Sequence, residues 1–244
     1  IAKRMLDYEM VLRGGAALFD ASADVSREEW RTYVARLQLQ RVYPGIQGLG
    51  YARIFPAGEL NAVVKSVRAE GFPDFVVKPD GQRDIYSAIL YLEPFNWRNQ
   101  RAFGYDMYSE PTRREAMEKA RDTGAPAISG RVTLVQETRS DAQKGFLMYM
   151  PVYQRGMPIE SVAQRRAALR GFVYSPFRIK DLMRNGNGPS NPNMKQSETP
   201  QETSALRREV ELLRERLDDK DGVINDLRRR LDDETEERRA TQAK

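Results

Sequence analysis

The spacing of apolar residues near the start of the chain predicts two amphipathic helices. Between residues 3 and 20, apolar side chains recur at intervals of three, four and seven, which places them on one face of a helix. A second helix is predicted to begin after Ser26, because Ser26 and Glu29 form a capping box directly before the next run of helical spacing. Its buried stripe is expected to contain Trp30, Tyr33, Val34 and Leu37.

After Gly45 the chain changes to short apolar runs that are bounded by turn residues or by short helical stretches. Helices are predicted over 59–70 and 110–122, the second with Pro111 in its first turn and Gly124 at its end. Two helices followed by strands with short helices between them indicate an α+β fold with an antiparallel sheet, similar to PAS-type sensor folds. The strands are predicted over residues 46–55, 75–78, 85–92, 127–136, 145–153 and 169–174.

The end of the chain has the most regular pattern. Residues 185–203 are rich in Asn, Pro, Gly and Ser and are predicted to form a flexible linker. Over residues 204–244, apolar positions alternate spacings of four and three, which predicts a coiled coil of about four heptads and hence a homodimer. A single solvated charged helix is the alternative. Only Lys220 interrupts the apolar character of this seam, which consists of Leu206, Val210, Leu213, Leu217, Lys220, Ile224, Leu227 and Leu231.

Composition removes several classes of function. The net charge of +5 comes from 40 basic and 35 acidic residues that are interleaved, so no nucleic-acid partner is expected. The chain has no Cys and no His, which excludes disulfides, thiol nucleophiles, Ser-His triads and the usual zinc sites. Its carboxylate pairs lie in charged helices or turns without a matched acid and base. We therefore expect no catalytic residue, no metal, no cofactor and no enzyme activity.

Neither a membrane-spanning segment nor a signal peptide is predicted from the sequence. No apolar run reaches the roughly 18 residues that a membrane-spanning helix needs. Ile1 is not an initiator Met, and the residues that follow it do not have the pattern of a signal peptide. We therefore expect the chain to be part of a longer protein.

Asp106 is the strongest candidate for contact with a ligand. It lies between Tyr105 and Met107, just before the helix that is predicted over 110–122. Either Asp106 or Ser109 could cap that helix, and Ser109 is the better placed of the two. In that case Asp106 is free to orient the polar edge of a ligand in an otherwise apolar pocket. The residues alone leave both roles of Asp106 open.

Seven short motifs strengthen the ligand-binding interpretation. They are PGIQGLGY at 44–51, LEP at 92–94, GYDM at 104–107, APAISG at 125–130, VTLVQET at 132–138, GFLMYMPVY at 145–153 and GFVY at 171–174. In this order they resemble the CHASE domain, a sensor module of receptor histidine kinases, diguanylate cyclases and adenylate cyclases. The resemblance implies that residues 1–184 form the extracytoplasmic (periplasmic) sensor domain of a receptor anchored in the inner membrane.

The resemblance also implies a binding site for an adenine-like or cytokinin-like small molecule, as in the plant cytokinin receptors of this family. Asp106 resembles the aspartate that accepts a hydrogen bond from the ligand, and Thr138 resembles a hydroxyl near the ligand's tail. Leu134 and Ile128 as plain core residues, and Thr138 as an exposed strand end, are alternatives. The other residues that the resemblance places in the site are Tyr105, Ala127, Ile128, Leu134 and Tyr149.

Two functions from different classes follow. The first is a receptor input module, in which a bound molecule biases the packing of a dimer. The flat, neutral or weakly basic ring of such a ligand would suit Asp106, whereas phosphates and dicarboxylates would be rejected. The second is a coiled-coil scaffold protein whose globular head is only a surface for docking other proteins.

Overall fold

The computed structural model of the protein describes residues 2–43, 45–136 and 144–179. Its helices are α1 Ala2–Ala21, α2 Arg27–Leu37, α3 Leu39–Val42, α4 Leu60–Ala69, α5 Trp97–Gln100, α6 Pro111–Thr123 and α7 Val162–Ala168. Its strands are β1 Leu49–Pro56, β2 Ile85–Glu93, β3 Ala127–Ile128, β4 Val132–Thr133, β5 Lys144–Tyr153 and β6 Leu169–Arg178. Short 3-10 turns cover Ala57–Glu59 and Met107–Ser109. Within this described part, no helix has the length and apolar character needed to cross a bilayer.

The strands form one antiparallel sheet in the order β2-β1-β6-β5-β3, with β4 also paired to β5. β6 lies in the middle of this order and pairs with β1 on one side and β5 on the other. The longest ladder joins β5 and β6, where Tyr149 lies opposite Tyr174. The predicted α+β fold with an antiparallel sheet is therefore confirmed for the described residues.

Helices cover both faces of the sheet, and alternate residues of each strand face opposite sides. We call the face under α1 and α2 the α1 face, and the face under α6 and the Met107–Ser109 turn the α6 face. On the α1 face, Trp30 and Leu12 are fully buried, and each such side chain contributes about 1.5–3 kcal/mol. A Cβ at Gly15 would lie 3.0 Å from Val173, so a small residue allows α1 to approach the sheet. The strand residues that pack toward α1 and α2 include Tyr51, Met148, Val152, Val173 and Phe177.

The predicted helix starts agree with the structure. α2 has the capping box between Ser26 and Glu29, in which each side chain accepts a hydrogen bond from the other residue's backbone amide. α6 begins with Pro111 and ends at Gly124, which has the positive φ of 69° that favours glycine at a helix end.

Two predicted strands differ from the structure. Residues 75–78 do not form a strand, because Phe75 is packed in an apolar cluster against α4 and only Lys78 makes an isolated bridge, to Tyr105. The strand predicted over 127–136 is divided into β3 and β4, since Ser129 uses its amide and hydroxyl to bind Leu147 and the chain then bends away. The linker at 185–203 and the coiled coil at 204–244 lie outside the described residues.

Candidate functional site

Asp106 lies completely buried between the 75–78 segment and β2, with 0% of its surface exposed. The backbone amides of Ser87 and Tyr108 donate hydrogen bonds of 2.8 and 3.0 Å to its Oδ1 atom. Its Oδ2 atom has no hydrogen-bond partner among the described residues, although the Nε atom of Arg83 lies 3.4 Å away. Burial raises the pKa of Asp106, while the two amides and the arginine oppose this effect.

Asp106 caps the Met107–Ser109 turn and does not cap α6. The cap of α6 is Glu110, whose carboxylate accepts hydrogen bonds from the amides of Thr112 and Arg113. The expectation that Ser109 caps this helix is therefore wrong. The hydroxyl of Ser109 donates to the carbonyl of Asp106 at 2.6 Å instead. The carboxylate of Asp106 thus has a structural role at Oδ1, while Oδ2 faces Arg83 and has no hydrogen bond among the described residues.

The backbone on both sides of Asp106 is held by long-range hydrogen bonds. The amide of Asp106 donates to the carbonyl of Lys78 at 2.7 Å, and the amide of Ile89 donates to the carbonyl of Tyr105 at 3.0 Å. Gly104 has a φ of 77°, and a Cβ there would lie 2.1 Å from the carbonyl oxygen of Val76, so only glycine fits. Glycine at position 104 is therefore explained by the close approach of this segment to the backbone of Val76.

A second group of polar atoms lies at the centre of the α6 face. Arg113 projects from α6 with 3% of its surface exposed, and Tyr149 and Tyr174 lie opposite one another on β5 and β6 with 0% exposed. The guanidinium of Arg113 donates to the carbonyl of Thr133 at 2.9 Å and lies 5.0 Å above the ring of Tyr105. The Nε atom of Arg113 and both tyrosine hydroxyls have no hydrogen-bond partner in the part of the chain described.

Four of the residues predicted for the site lie in one apolar cluster on the α6 face: Tyr105, Ala127, Leu134 and Tyr149. Ala127 is the cross-strand partner of Tyr149. Ile128 is 50% exposed, so its side chain does not join this cluster, while its backbone pairs with Met148. Thr138 lies outside the described residues.

Sequence reasoning missed three polar residues that the structure places on this face. Arg113 precedes Ala116, Met117 and Ala120 at spacings of three, four and seven, so helical periodicity could have shown that it lies on the buried side of α6. Ser87 and Tyr174 depend on which strands are neighbours, and one sequence does not reveal that order. Ser87 lies opposite Ile54, and its hydroxyl is buried without a hydrogen-bond partner among the described residues.

The two polar groups occupy different positions on the α6 face. In the sheet register, Gly50 is opposite Tyr174, whereas Ile54 is opposite Ser87. Four residues along a strand correspond to about 13 Å. The Asp106 carboxylate, which binds the amide of Ser87, is therefore near one end of the face, and the two tyrosines are near its centre. Among the described residues, no group of His, Cys, Asp and Glu could hold a metal ion.

Comparison with known proteins identifies the family of the chain. The family model of the CHASE domain matches residues 23–205. The chain is also 31% identical over 111 residues to hybrid signal transduction histidine kinase A of Dictyostelium discoideum, a match that covers 43% of this chain and 5% of the relative. The chain thus corresponds to a small part of that relative's length. Because the family model spans most of the sequence, the chain belongs to the CHASE domain family, whose members are sensory domains and not catalytic ones.

Proposed function

We propose that this domain is the extracytoplasmic input module of a membrane-anchored receptor, a histidine kinase or a nucleotide cyclase. In this proposal it binds a small organic molecule on the α6 face, beside Asp106. Membership of the CHASE family supports a sensory role, and the relative from Dictyostelium discoideum is named as a histidine kinase. The kinase or cyclase would be supplied by other parts of the receptor.

One observation carries the assignment of the site. Among the described residues, neither the Oδ2 atom of Asp106 nor the hydroxyl of Ser87, whose amide binds Asp106, has a hydrogen bond, although both are buried and Arg83 lies 3.4 Å from Oδ2. An unsatisfied buried polar group costs about 1–3 kcal/mol, so folded proteins rarely keep one unless water or a ligand satisfies it. An ionised carboxylate offers only acceptors. The ligand should therefore present an N–H or O–H donor, as the ring edge of an adenine-like molecule does.

The sheet offers a route by which such a ligand could affect the rest of the receptor. Tyr149 and Tyr174 face the proposed ligand, while Met148 and Val173, which are adjacent to them in sequence, pack against the helices on the α1 face. A ligand shifts the population of two conformations only by its different affinity for each. In this proposal the two conformations differ in how α1 packs against the sheet within a dimer.

The test is ligand binding by an Asp106→Asn variant. The asparagine Oδ1 atom can still accept from the amides of Ser87 and Tyr108, but the ligand-facing oxygen becomes an NH2 donor. A screen of adenine derivatives, amines, carboxylates and phosphates by thermal shift would first identify compounds that stabilise the wild-type domain. For a donor-bearing compound, calorimetry should then show roughly tenfold to hundredfold weaker binding to the variant.

Asp74→Asn is the matched control, because Asp74 is exposed whereas Asp106 is completely buried. It should bind the same compound as tightly as the wild type does. Unchanged affinity in Asp106→Asn would remove Asp106 from the site. If no compound of any class binds, a head that only docks other proteins becomes the better explanation.

A further inference from the structure

Three buried hydrogen-bond donors lie on the α6 face, and none of them is needed to hold Asp106. They are the Nε–H group of Arg113 and the hydroxyls of Tyr149 and Tyr174, all without a hydrogen-bond partner among the described residues. The two tyrosine rings are cross-strand neighbours with centroids 6.3 Å apart. The guanidinium of Arg113 lies 5.0 Å above the ring of Tyr105, and Tyr105 packs against the apolar cluster that contains both tyrosines.

The remaining contacts of Arg113 leave its Nε–H group available. One terminal nitrogen binds the carbonyl of Thr133, and the plane of the guanidinium lies over Tyr105. The nearest carboxylate oxygen, Oε2 of Glu110, lies 3.7 Å from Nε, beyond hydrogen-bond distance. That carboxylate is already bound to two backbone amides as the cap of α6. Glu110 is therefore a weak partner for Arg113.

All three groups are available as hydrogen-bond donors. Burial raises the pKa of Tyr149 and of Tyr174, so both phenols keep their protons at neutral pH. Arg113 has no acceptor atom at all. Two protonated phenols and a guanidinium N–H would be satisfied together by the two oxygens of one anion, because charge-assisted hydrogen bonds to a carboxylate are the strongest available. The neighbouring side chains are apolar or aromatic: Tyr105, Met107, Leu134 and Leu147.

We propose that Arg113, Tyr149 and Tyr174 bind the carboxylate of a small, flat, apolar monocarboxylic acid. The inference rests on the proposed function in one respect, namely that the sensed molecule enters the α6 face. It adds an acidic group to the ligand, at a position about 13 Å along the strands from the Asp106 end. A single cation with Glu110 nearby suits one negative charge, so a monocarboxylate fits better than a phosphate dianion.

Matched acids and amides provide the first test. The probes are benzoate, nicotinate and 2-naphthoate, each compared with its primary amide, which has the same shape without the charge. Calorimetry and thermal shift on the full chain should show that at least one acid binds and raises Tm, whereas its amide binds at least tenfold more weakly. Equal binding of acid and amide, or no binding by any of the three acids, would overturn the inference.

Removing single hydroxyl groups provides the second test. Tyr149→Phe and Tyr174→Phe should each weaken binding of the acid roughly tenfold to hundredfold, because each deletes one hydrogen bond to a charged group. The unliganded variants should melt at or above the wild-type Tm, since each loses a buried hydroxyl that has no partner in the described structure. Unchanged affinity for the acid in both variants would overturn the inference.

Tyr153→Phe is the matched control for these variants. Its hydroxyl donates to the carbonyl of Arg121 at 2.6 Å, so this variant should melt lower than the wild type and bind the acid normally. A purely structural role for Tyr149 and Tyr174 would give the opposite pattern, with lowered Tm and unchanged affinity.

Asp106→Asn separates this inference from the proposed function. If the acids bind through Tyr149 and Tyr174 while no donor-bearing compound binds in an Asp106-dependent way, the carboxylate site stands and the assignment of Asp106 does not. If adenine derivatives bind in an Asp106-dependent way while all three acids fail, the proposed function stands and the carboxylate site is wrong.

Discussion

The two oxygen atoms of Asp106 serve different purposes. Oδ1 accepts from the buried amides of Ser87 and Tyr108, whereas Oδ2 faces Arg83 and has no hydrogen bond among the described residues. A substitution at this position therefore alters the turn and the candidate site together, unless the new residue keeps an acceptor at Oδ1. Asparagine keeps that acceptor and alanine does not.

Asp106→Ala should lower the free energy of unfolding by about 2–4 kcal/mol. Two buried amides lose their acceptor, and each unsatisfied donor costs about 1–3 kcal/mol, partly offset because a buried carboxylate is also removed. Asp106→Asn should stay within about 1 kcal/mol of the wild type, since it retains the hydrogen bonds at Oδ1. Urea unfolding monitored by circular dichroism would compare the two variants. Equal losses of stability would contradict the capping role.

At the scale of elements, a cluster of charges joins α6 to α7. The carboxylate of Asp122 accepts two hydrogen bonds from Arg166, at 2.6 and 3.0 Å, and one from Arg121 at 2.6 Å. The carbonyl of Asp122 also accepts from Arg165 at 2.8 Å. These hydrogen bonds hold the pKa of Asp122 far below its usual range. α7 is thereby fastened to the end of the helix that carries Arg113.

The lowered pKa of Asp122 predicts a loss of stability in acid. A carboxyl group with a lowered pKa in the folded state stabilises fully above its unfolded pKa of about 3.9, and the effect disappears as the pH falls below it. At neutral pH, Asp122→Asn should lower Tm by roughly 2–4 °C. The difference between wild type and variant should be constant above about pH 5 and should shrink toward pH 3. A difference independent of pH would show that Asp122 acts only through packing.

The sequence indicated most elements but not how they pair. β1, β2, β5 and β6 were predictable as apolar runs between turn signals, although the structure moves their ends by up to four residues. The 75–78 segment was mistaken for a strand because it contains apolar residues, which pack in a cluster with α4 and β2. Among the described residues, its only backbone hydrogen bonds to the 104–106 segment are those of Lys78 with Gly104 and Asp106. α3, α5 and α7 have four to seven residues, too few for helical periodicity to appear.

The candidate site was predictable where it depended on motifs and not where it depended on register. The resemblance to the CHASE domain named Tyr105, Leu134 and Tyr149, which the structure brings into one cluster. Tyr174 joins them only because β6 pairs with β5 so that Tyr149 lies opposite it. That pairing joins residues far apart in the chain, and no local pattern reveals it.

For the whole molecule, the apolar seam at the C-terminus bears on assembly. A seam of mostly Leu, with the β-branched residues Val210 and Ile224, favours a coiled coil of two parallel helices. α1 also has apolar residues on its outer side, since Leu6 and Met10 are 63% and 65% exposed one helical turn apart. A dimer through the C-terminal segment is therefore the prediction, and α1 has a second exposed apolar surface.

Sedimentation equilibrium should show that residues 1–244 form a dimer, because a four-heptad seam buries its apolar residues only against a partner helix. The variant Leu213→Asp, which places a charge in the seam, should shift the full chain toward monomer. A truncated chain of residues 1–185 tests the head by itself. A monomeric full chain would refute the coiled coil, and a dimer that survives both changes would place the interface in the head.

The division of β5 and β6 into two faces has a consequence for how such receptors diversify. On β6, Phe172 and Tyr174 lie on the α6 face, while Val173 and Phe177 lie on the α1 face; on β5, Tyr149 and Met148 divide in the same way. Neighbouring side chains on each strand belong to different faces of the sheet. Substitutions on the α6 face can therefore change ligand preference without changing the packing of α1 on the opposite face. Grafting only the ligand-side residues between family members should therefore exchange chemical preference while each receptor keeps its own output.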